Sequence, residues 1–365
     1  ARVSRAWGLS PHGDTMKRRS SLARLTDEAR EALVAAAAAI PATPVLVPHG
    51  ADRHTVDGGS TSGGERGDRA VRSPGESFGT SPLRQVAAGE HFSALVTGDG
   101  RVLTWGRYSF GQLGRDADGG ASAREPRAVE GLDGGVASVA LGADHAAAIV
   151  RGTLLCWGSG SYGQLGRGDG ESSRRARVVS GLAHHAVVRA ACGWSFSAAV
   201  TSDGKLFTWG TATHGQLGHE NCVRREVPTR VTALRGMHVA AVACGEAHAA
   251  CVTADGALLT WGCGSDGRLG HGDNVDRFTP EPVQALRRLG DDPMRAVACG
   301  STHTLALSQA GRVFSWGGGS GGQLGQGDCE AQAMPVRVHF GHGAAFGTAG
   351  AGVAGDSVGG GGGGG

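Results

Sequence analysis

The sequence is short of aromatic residues, which make up 5% of its 365 positions, and it contains two tyrosines. A core must therefore be built mostly from aliphatic side chains, which the 40% hydrophobic content allows. No apolar run approaches the roughly 20 residues that span a bilayer. The best stretch, Ala32 to Ile40, has nine and stops at Pro41, so no membrane partner is expected. Charge of one sign is also missing. The net charge is +2, and residues 81–365 carry 24 basic and 24 acidic side chains. A general phosphate-backbone binder shows a basic surplus, so no direct nucleic-acid site is expected. Eight cysteines are present without one C-x-x-C pair, which argues against a zinc ribbon or a thioredoxin-like centre. There is no G-x-x-x-x-G-K-[ST], no H-E-x-x-H and no nucleophile with a triad signature. Hydrolase and transferase chemistry, a resident metal and a cofactor are accordingly not expected. Reduced thiols suit the cytosol or the nucleus.

What the chain has in excess is glycine, 66 residues, against roughly 7% in average proteins. Much of it recurs in register. Trp-Gly pairs stand at Trp105, Trp157, Trp209, Trp261 and Trp316, with spacings of 52, 52, 52 and 55. Six residues after each Trp begins Gly-Gln-Leu-Gly, with Arg268 replacing Gln in the fourth copy. Before each Trp come a glycine at 89, 142, 193, 245 or 300 and a turn glycine at 100, 152, 204, 256 or 311. A fixed period near 52 signals a repeat architecture.

Each copy reads as four strands. In the fourth, Val239–Cys244, Ala249–Thr253 and Leu258–Trp261 are apolar runs separated by Gly245 and by Asp255-Gly256. Asp-Gly between apolar runs is a hairpin signal. Thr279–Leu286 adds a fourth strand edged by proline, which edge strands tolerate. A lone sheet of this size leaves both faces bare, so copies must pack on one another. Radial packing gives an all-β fold, a β-propeller of four-stranded blades with five repeats visible. The repeated tryptophans are expected as fillers between blades. Cys192, Cys244 and Cys299 precede equivalent glycines and read as small buried thiols.

The strings 242–252, Val-Ala-Cys-Gly-Glu-Ala-His-Ala-Ala-Cys-Val, and 297–307, Val-Ala-Cys-Gly-Ser-Thr-His-Thr-Leu-Ala-Leu, resemble the repeat signature of the regulator of chromosome condensation family. So do Trp-Gly and Gly-Gln-Leu-Gly. The resemblance covers about 81–340 and implies a propeller, usually of seven blades. It also implies a protein partner, with guanine-nucleotide exchange on a small GTPase of the Ran type as the family's activity. An alternative implied by similar propellers is a non-catalytic scaffold or substrate-recognition module of a larger protein such as a ubiquitin ligase. A third reading, the plant UV-B photoreceptor, needs clustered tryptophans in Gly-Trp-Arg-His-Thr, and only Trp194 sits equivalently.

Outside the repeats, residues 1–80 form a low-complexity segment in which Thr26 could cap a helix over about 26–40. Residues 341–365 are glycine-rich and cannot pack a core, so disorder is expected there. G-x-G-x-x-G matches such as Gly158–Gly163 lack the following helix of a dinucleotide site and recur in the repeat frame.

Candidate partner contacts are the positions that vary between copies. Directly after the strand-ending glycine stand Glu90-His91, Ala143-Asp144, Trp194-Ser195, Glu246-Ala247 and Ser301-Thr302. From these, Glu90, His91, Asp144, Trp194, Glu246 and Ser301 are taken as one binding face. Trp194 is the expected anchor, because tryptophan is enriched in binding hot spots. The loops bearing Tyr108, Phe110, Tyr162, His214 and Asp266 are assigned to an opposite, second face. His145, His248 and His303 share a position with Phe92 and Phe196, which marks it as a packing position.

Overall fold

In the computed structural model, residues 82–116, 122–288 and 292–340 are described. The helix expected over 26–40, the linker to residue 80 and the glycine-rich tail lie outside them. The described residues form five four-stranded antiparallel meanders, each in sequential strand order. Blade one holds β1 (Leu83–Ala88), β2 (Phe92–Thr97), β3 (Val102–Arg107) and β4 (Ser122–Ala128). Blade two holds β5 (Val136–Leu141), β6 (His145–Val150), β7 (Thr153–Gly158) and β8 (Ser173–Val178). Blade three holds β9 (Val187–Cys192), β10 (Phe196–Thr201), β11 (Leu206–Gly210) and β12 (Arg225–Arg230). Blade four holds β13 (Val239–Cys244), β14 (His248–Thr253), β15 (Leu258–Gly262) and β16 (Arg277–Pro282). Blade five holds β17 (Met294–Cys299), β18 (His303–Ser308), β19 (Val313–Gly317) and β20 (Gln332–Arg337). One helical turn, α1 (Gln284–Arg287), follows β16.

The inner strands β1, β5, β9, β13 and β17 pack consecutively. The second and third strands are the buried ones: every residue of β10 and β11 is buried. The outer strands carry the prolines, Pro126, Pro228, Pro280 and Pro335, where an amide hydrogen is dispensable. The four hydrophobic clusters each straddle one junction between neighbouring blades. Burial is thus between sheets rather than within one, as a repeat with two apolar faces requires.

The tryptophans do what their spacing predicts. Trp157, Trp209, Trp261 and Trp316 are fully buried. Their indole N–H groups donate to the carbonyls of Gln112, Gln164, Gln216 and Arg268 in the preceding blade, at 2.9, 2.8, 2.9 and 3.0 Å. The Gly-Gln-Leu-Gly loop is shaped to receive them. Thr208 Oγ1 donates to Leu217 O at 2.6 Å, and Thr104, Thr260 and Ser315 repeat this bond. Gly166 lies against Trp209 at a φ of +70°, where any side chain would meet the indole. Trp105 differs. It is only half-buried, and among the described residues no loop of a preceding blade meets it. At the other end Gly322, unlike Gly111, Gly163, Gly215 and Gly267, faces no neighbouring strand within 4 Å.

Candidate functional site

The meander decides where the variable loops lie. Its first and third connections leave from one end of the blade and its second from the other. The β1–β2 turn and the β3–β4 loop are therefore at the same end, and so on around the arc. The assignment of Tyr108, Phe110, Tyr162, His214 and Asp266 to an opposite face is corrected: both sets share one end. Hydrogen bonds between the sets make this plain. Gln112 Nε2 donates to Asp144 Oδ1 at 3.1 Å. An Arg268 guanidinium N–H donates to the Ser301 carbonyl at 3.2 Å. The amide of Cys263 donates to Ala247 O at 2.8 Å.

The inner part of this end is an arc held close by glycine. A Cβ on Gly89 would sit 2.5 Å from the carbonyl oxygen of Gly142, and one on Gly193 would sit 2.6 Å from that of Gly245. Each strand-ending glycine also cradles the ring three residues later, Phe92, His145, Phe196, His248 or His303. Successive turns are thereby brought edge to edge. Glu90 pairs with His91 at 3.3 Å, and Ser301 Oγ donates to the Glu246 carboxylate of the neighbouring blade.

Trp194 stands in the middle turn with 46% of its surface exposed, while four of the five repeat tryptophans are fully buried. Trp194 thus offers a large, rigid apolar surface of the kind enriched in binding hot spots. Glu90, Asp144 and Glu246 stand in three of the other four turns and Ser301 in the last, so the turns on either side of the apolar anchor carry carboxylates. In the surrounding loops Phe110 and Tyr162 are 43% and 53% exposed. Their backbones are fixed, because the N–H groups of Phe110 and Tyr162 donate to Gln112 Oε1 and Gln164 Oε1 at 2.8 and 2.9 Å. Tyr108 packs beneath the Arg174 guanidinium, 5.9 Å from the ring centroid. His214 pairs with Asp276 at 3.0 Å, and Asp266 with Arg268 at 2.8 Å. No described connecting turn at the opposite end carries a Phe, Tyr or Trp.

Beneath the arc the histidines are structural. His145 Nε2 meets Ser197 Oγ at 2.8 Å, and His248 Nε2 meets Thr304 Oγ1 at 3.0 Å, both across a blade junction. Burial pushes His145 down to about 4 and His248 down to about 3, so both stay neutral at physiological pH. Cys192 is buried and pushed up to about 12, and such a thiol is inert; Cys244 and Cys299, expected to be buried, are only partly so. The arrangement offers a recognition surface with an aromatic anchor and acidic neighbours.

Residues 56–291 match the model of the RCC1-like domain. Residues 294–323 and 310–352 match models of the Regulator of chromosome condensation (RCC1) repeat. Over 266 residues the chain is 37% identical to the Ultraviolet-B receptor UVR8 of Arabidopsis thaliana, covering 71% of this chain and 59% of that protein. It is 33% identical over 283 residues to the human (Homo sapiens) E3 ubiquitin-protein ligase HERC2, covering 72% of this chain and 6% of the ligase. Among solved structures it is similar to human WBSCR16, with a TM-score of 0.66 and 28% identity, covering 72% and 68% of the two chains. It is also similar to Prp20p from Saccharomyces cerevisiae, with a TM-score of 0.62 and 26% identity, covering 71% and 64%. The Prp20p structure was described together with its binding to Gsp1p and histones.

Proposed function

This chain belongs to the regulator of chromosome condensation (RCC1) family, and we propose that its loop-bearing end docks a protein partner, a small GTPase of the Ran type. The observation that carries this reading is Trp194, exposed at the centre of an arc whose other turns bear Glu90, Asp144, Glu246 and Ser301. Aromatic anchors in a polar surround are the usual form of a binding hot spot. The carboxylates favour a basic partner surface and raise its rate of encounter. The similarity to Prp20p, with its binding to Gsp1p, supports the choice of GTPase class.

Exchange needs no catalytic side chain on this chain. A face that binds the nucleotide-free GTPase more tightly than the loaded one weakens nucleotide affinity by the same factor. Release of fluorescent GDP from a panel of purified small GTPases tests this. Acceleration by the wild-type chain, reduced at least tenfold by Trp194→Ala, is the expected result. Unchanged release across active GTPases removes the exchange reading.

A second reading follows from the similarity to HERC2, of which the matching region is 6%. Here the propeller is a recognition module within a larger protein. Binding to a GTPase without accelerated release would favour it. Among the described residues no helix is long and apolar enough to cross a membrane. A cytoplasmic or nuclear location, as the proposed partner requires, is part of the same proposal.

A further inference from the structure

One group of side chains at the loop-bearing end has a different chemistry from the arc. His214, Cys263 and Asp276 each offer a ligand atom, and all three atoms lie within 4.8 Å of one another. His214 comes from the β11–β12 loop of blade three. Cys263 directly follows β15 and Asp276 directly precedes β16, both in blade four. The absence of any C-x-x-C pair gave no reason to expect a metal here, because this cluster is assembled across a blade junction from residues far apart in the chain.

We propose that His214, Cys263 and Asp276 bind a zinc ion that staples blade three to blade four. The donor set is one thiolate, one imidazole and one carboxylate, which suits zinc and not magnesium or calcium. Thiolate and carboxylate together cancel the charge of a divalent ion. Around tetrahedral zinc, neighbouring ligand atoms stand about 3.3–3.8 Å apart, as bonds of roughly 2.0–2.3 Å require. The His214–Asp276 separation of 3.0 Å opens slightly and the thiolate moves inward to reach this.

The supporting contacts are those of a ligand site. The Gly264 amide donates to Asp276 Oδ1 at 2.8 Å, which leaves Oδ2 directed at His214. Cys263 is buried, and its Sγ is 3.4 Å from Ser265 Oγ, a hydroxyl able to donate to a thiolate. The His214 ring is half-exposed, so an ion has a way in and a water has the fourth position.

The repeat does not demand these three residues. At the corresponding junctions the trios are Phe110, Ser159 and Ser172; Tyr162, Thr211 and Arg224; and Asp266, Gly318 and Ala331. Loop geometry is satisfied without them. Ser172 Oγ accepts from the Gly160 amide at 3.1 Å, as Asp276 does from Gly264. The scaffold also supplies mild substitutions, since blade two carries Tyr162, Ser159 and Ser172 at the three positions.

The test uses the untagged full chain, stripped of metal with a chelator. One equivalent of zinc per chain is expected by elemental analysis. Cobalt(II), used as a spectroscopic probe, is expected to give tetrahedral d–d bands and a thiolate-to-cobalt charge-transfer band. C263S should abolish the charge-transfer band. H214Y and D276S should each weaken zinc affinity about a hundredfold, since even outer partners of metal ligands cost tenfold to a hundredfold. A C222S/C329S variant, lacking the exposed thiols, should bind as wild type. No stoichiometric uptake by the wild-type chain, or a charge-transfer band that survives C263S, overturns the proposal.

Discussion

Replacing Trp209 with alanine tests the blade junction, and Trp105 provides its internal control. Trp209 is fully buried between blades two and three, with its indole N–H on Gln164 O at 2.8 Å. Truncating a buried tryptophan costs roughly 3–5 kcal/mol in lost transfer energy and cavity formation. The indole hydrogen bond is also lost, at about 0.5–1.5 kcal/mol, while the Gln164 carbonyl keeps its second donor, Ser197 Oγ at 2.9 Å. Partial collapse of the site offsets some of this, so the expected loss is about 4–6 kcal/mol. For a unit of this size each kcal/mol lowers Tm by about 2–4 °C, so the thermal shift is on the order of 10–20 °C. Trp105 is half-buried and meets no loop of a preceding blade among the described residues. Trp105→Ala should cost less than about 2 kcal/mol, because only part of the roughly 1.5–3 kcal/mol of full burial is at stake. Urea melts of both variants, fitted for midpoint and slope, give the comparison. A loss below 1 kcal/mol for Trp209, or a Trp105 loss as large as that of Trp209, would refute the account of the tryptophans as inter-blade fillers.

Two further predictions concern titration and reactivity. His145 and His248 are held neutral with folded values of about 4 and 3, against about 6.5 in the unfolded chain. Between these limits the unfolded state binds more protons, so stability falls as pH drops below about 6.5, by at most about 1.4 kcal/mol per pH unit for each histidine. Asp99 and Asp203, lowered to about 2 by hydrogen bonds chiefly from Thr97 and Lys205 respectively, add their loss only below about pH 4. A double variant H145F/H248F, which places in blades two and four the ring already present as Phe92 and Phe196, should flatten Tm against pH between 6.5 and 4. An undiminished slope would show that other groups carry it. Thiol labelling of the native chain should be prompt at the exposed Cys222 and Cys329 and absent at Cys251, which is buried and pushed up to about 12. Rapid modification of Cys251 would contradict its place in the core between blades three and four.

The fold was legible because the repeat fixes both period and punctuation. Asp-Gly at 203–204 and 255–256 marks hairpins that are present, and the proline-bearing strands are the outer ones. The burial of Trp157 through Trp316 follows from the same register. The different state of Trp105 does not, because burial depends on a packed neighbouring blade rather than on the local sequence. Trp194 was chosen for its position, and it is 46% exposed. The separation of the loops into two faces failed on a simple parity. Four antiparallel strands bring their first and third connections to one end, so Glu90 and Phe110 cannot lie on opposite ends. The meeting of His214 with Cys263 and Asp276 was hidden for another reason. It depends on how far a loop of one blade reaches over the next, which repeat spacing alone does not specify.

The most direct test of the functional account is the affinity of the chain for a Ran-type GTPase, measured for the nucleotide-free and GDP-loaded forms with wild-type and Trp194→Ala proteins. The account predicts tighter binding to the nucleotide-free form and a loss of about thirtyfold in the variant, the equivalent of a hot spot of about 2 kcal/mol. Equal affinity for the two forms, or wild-type binding by a folded Trp194→Ala variant, would contradict it.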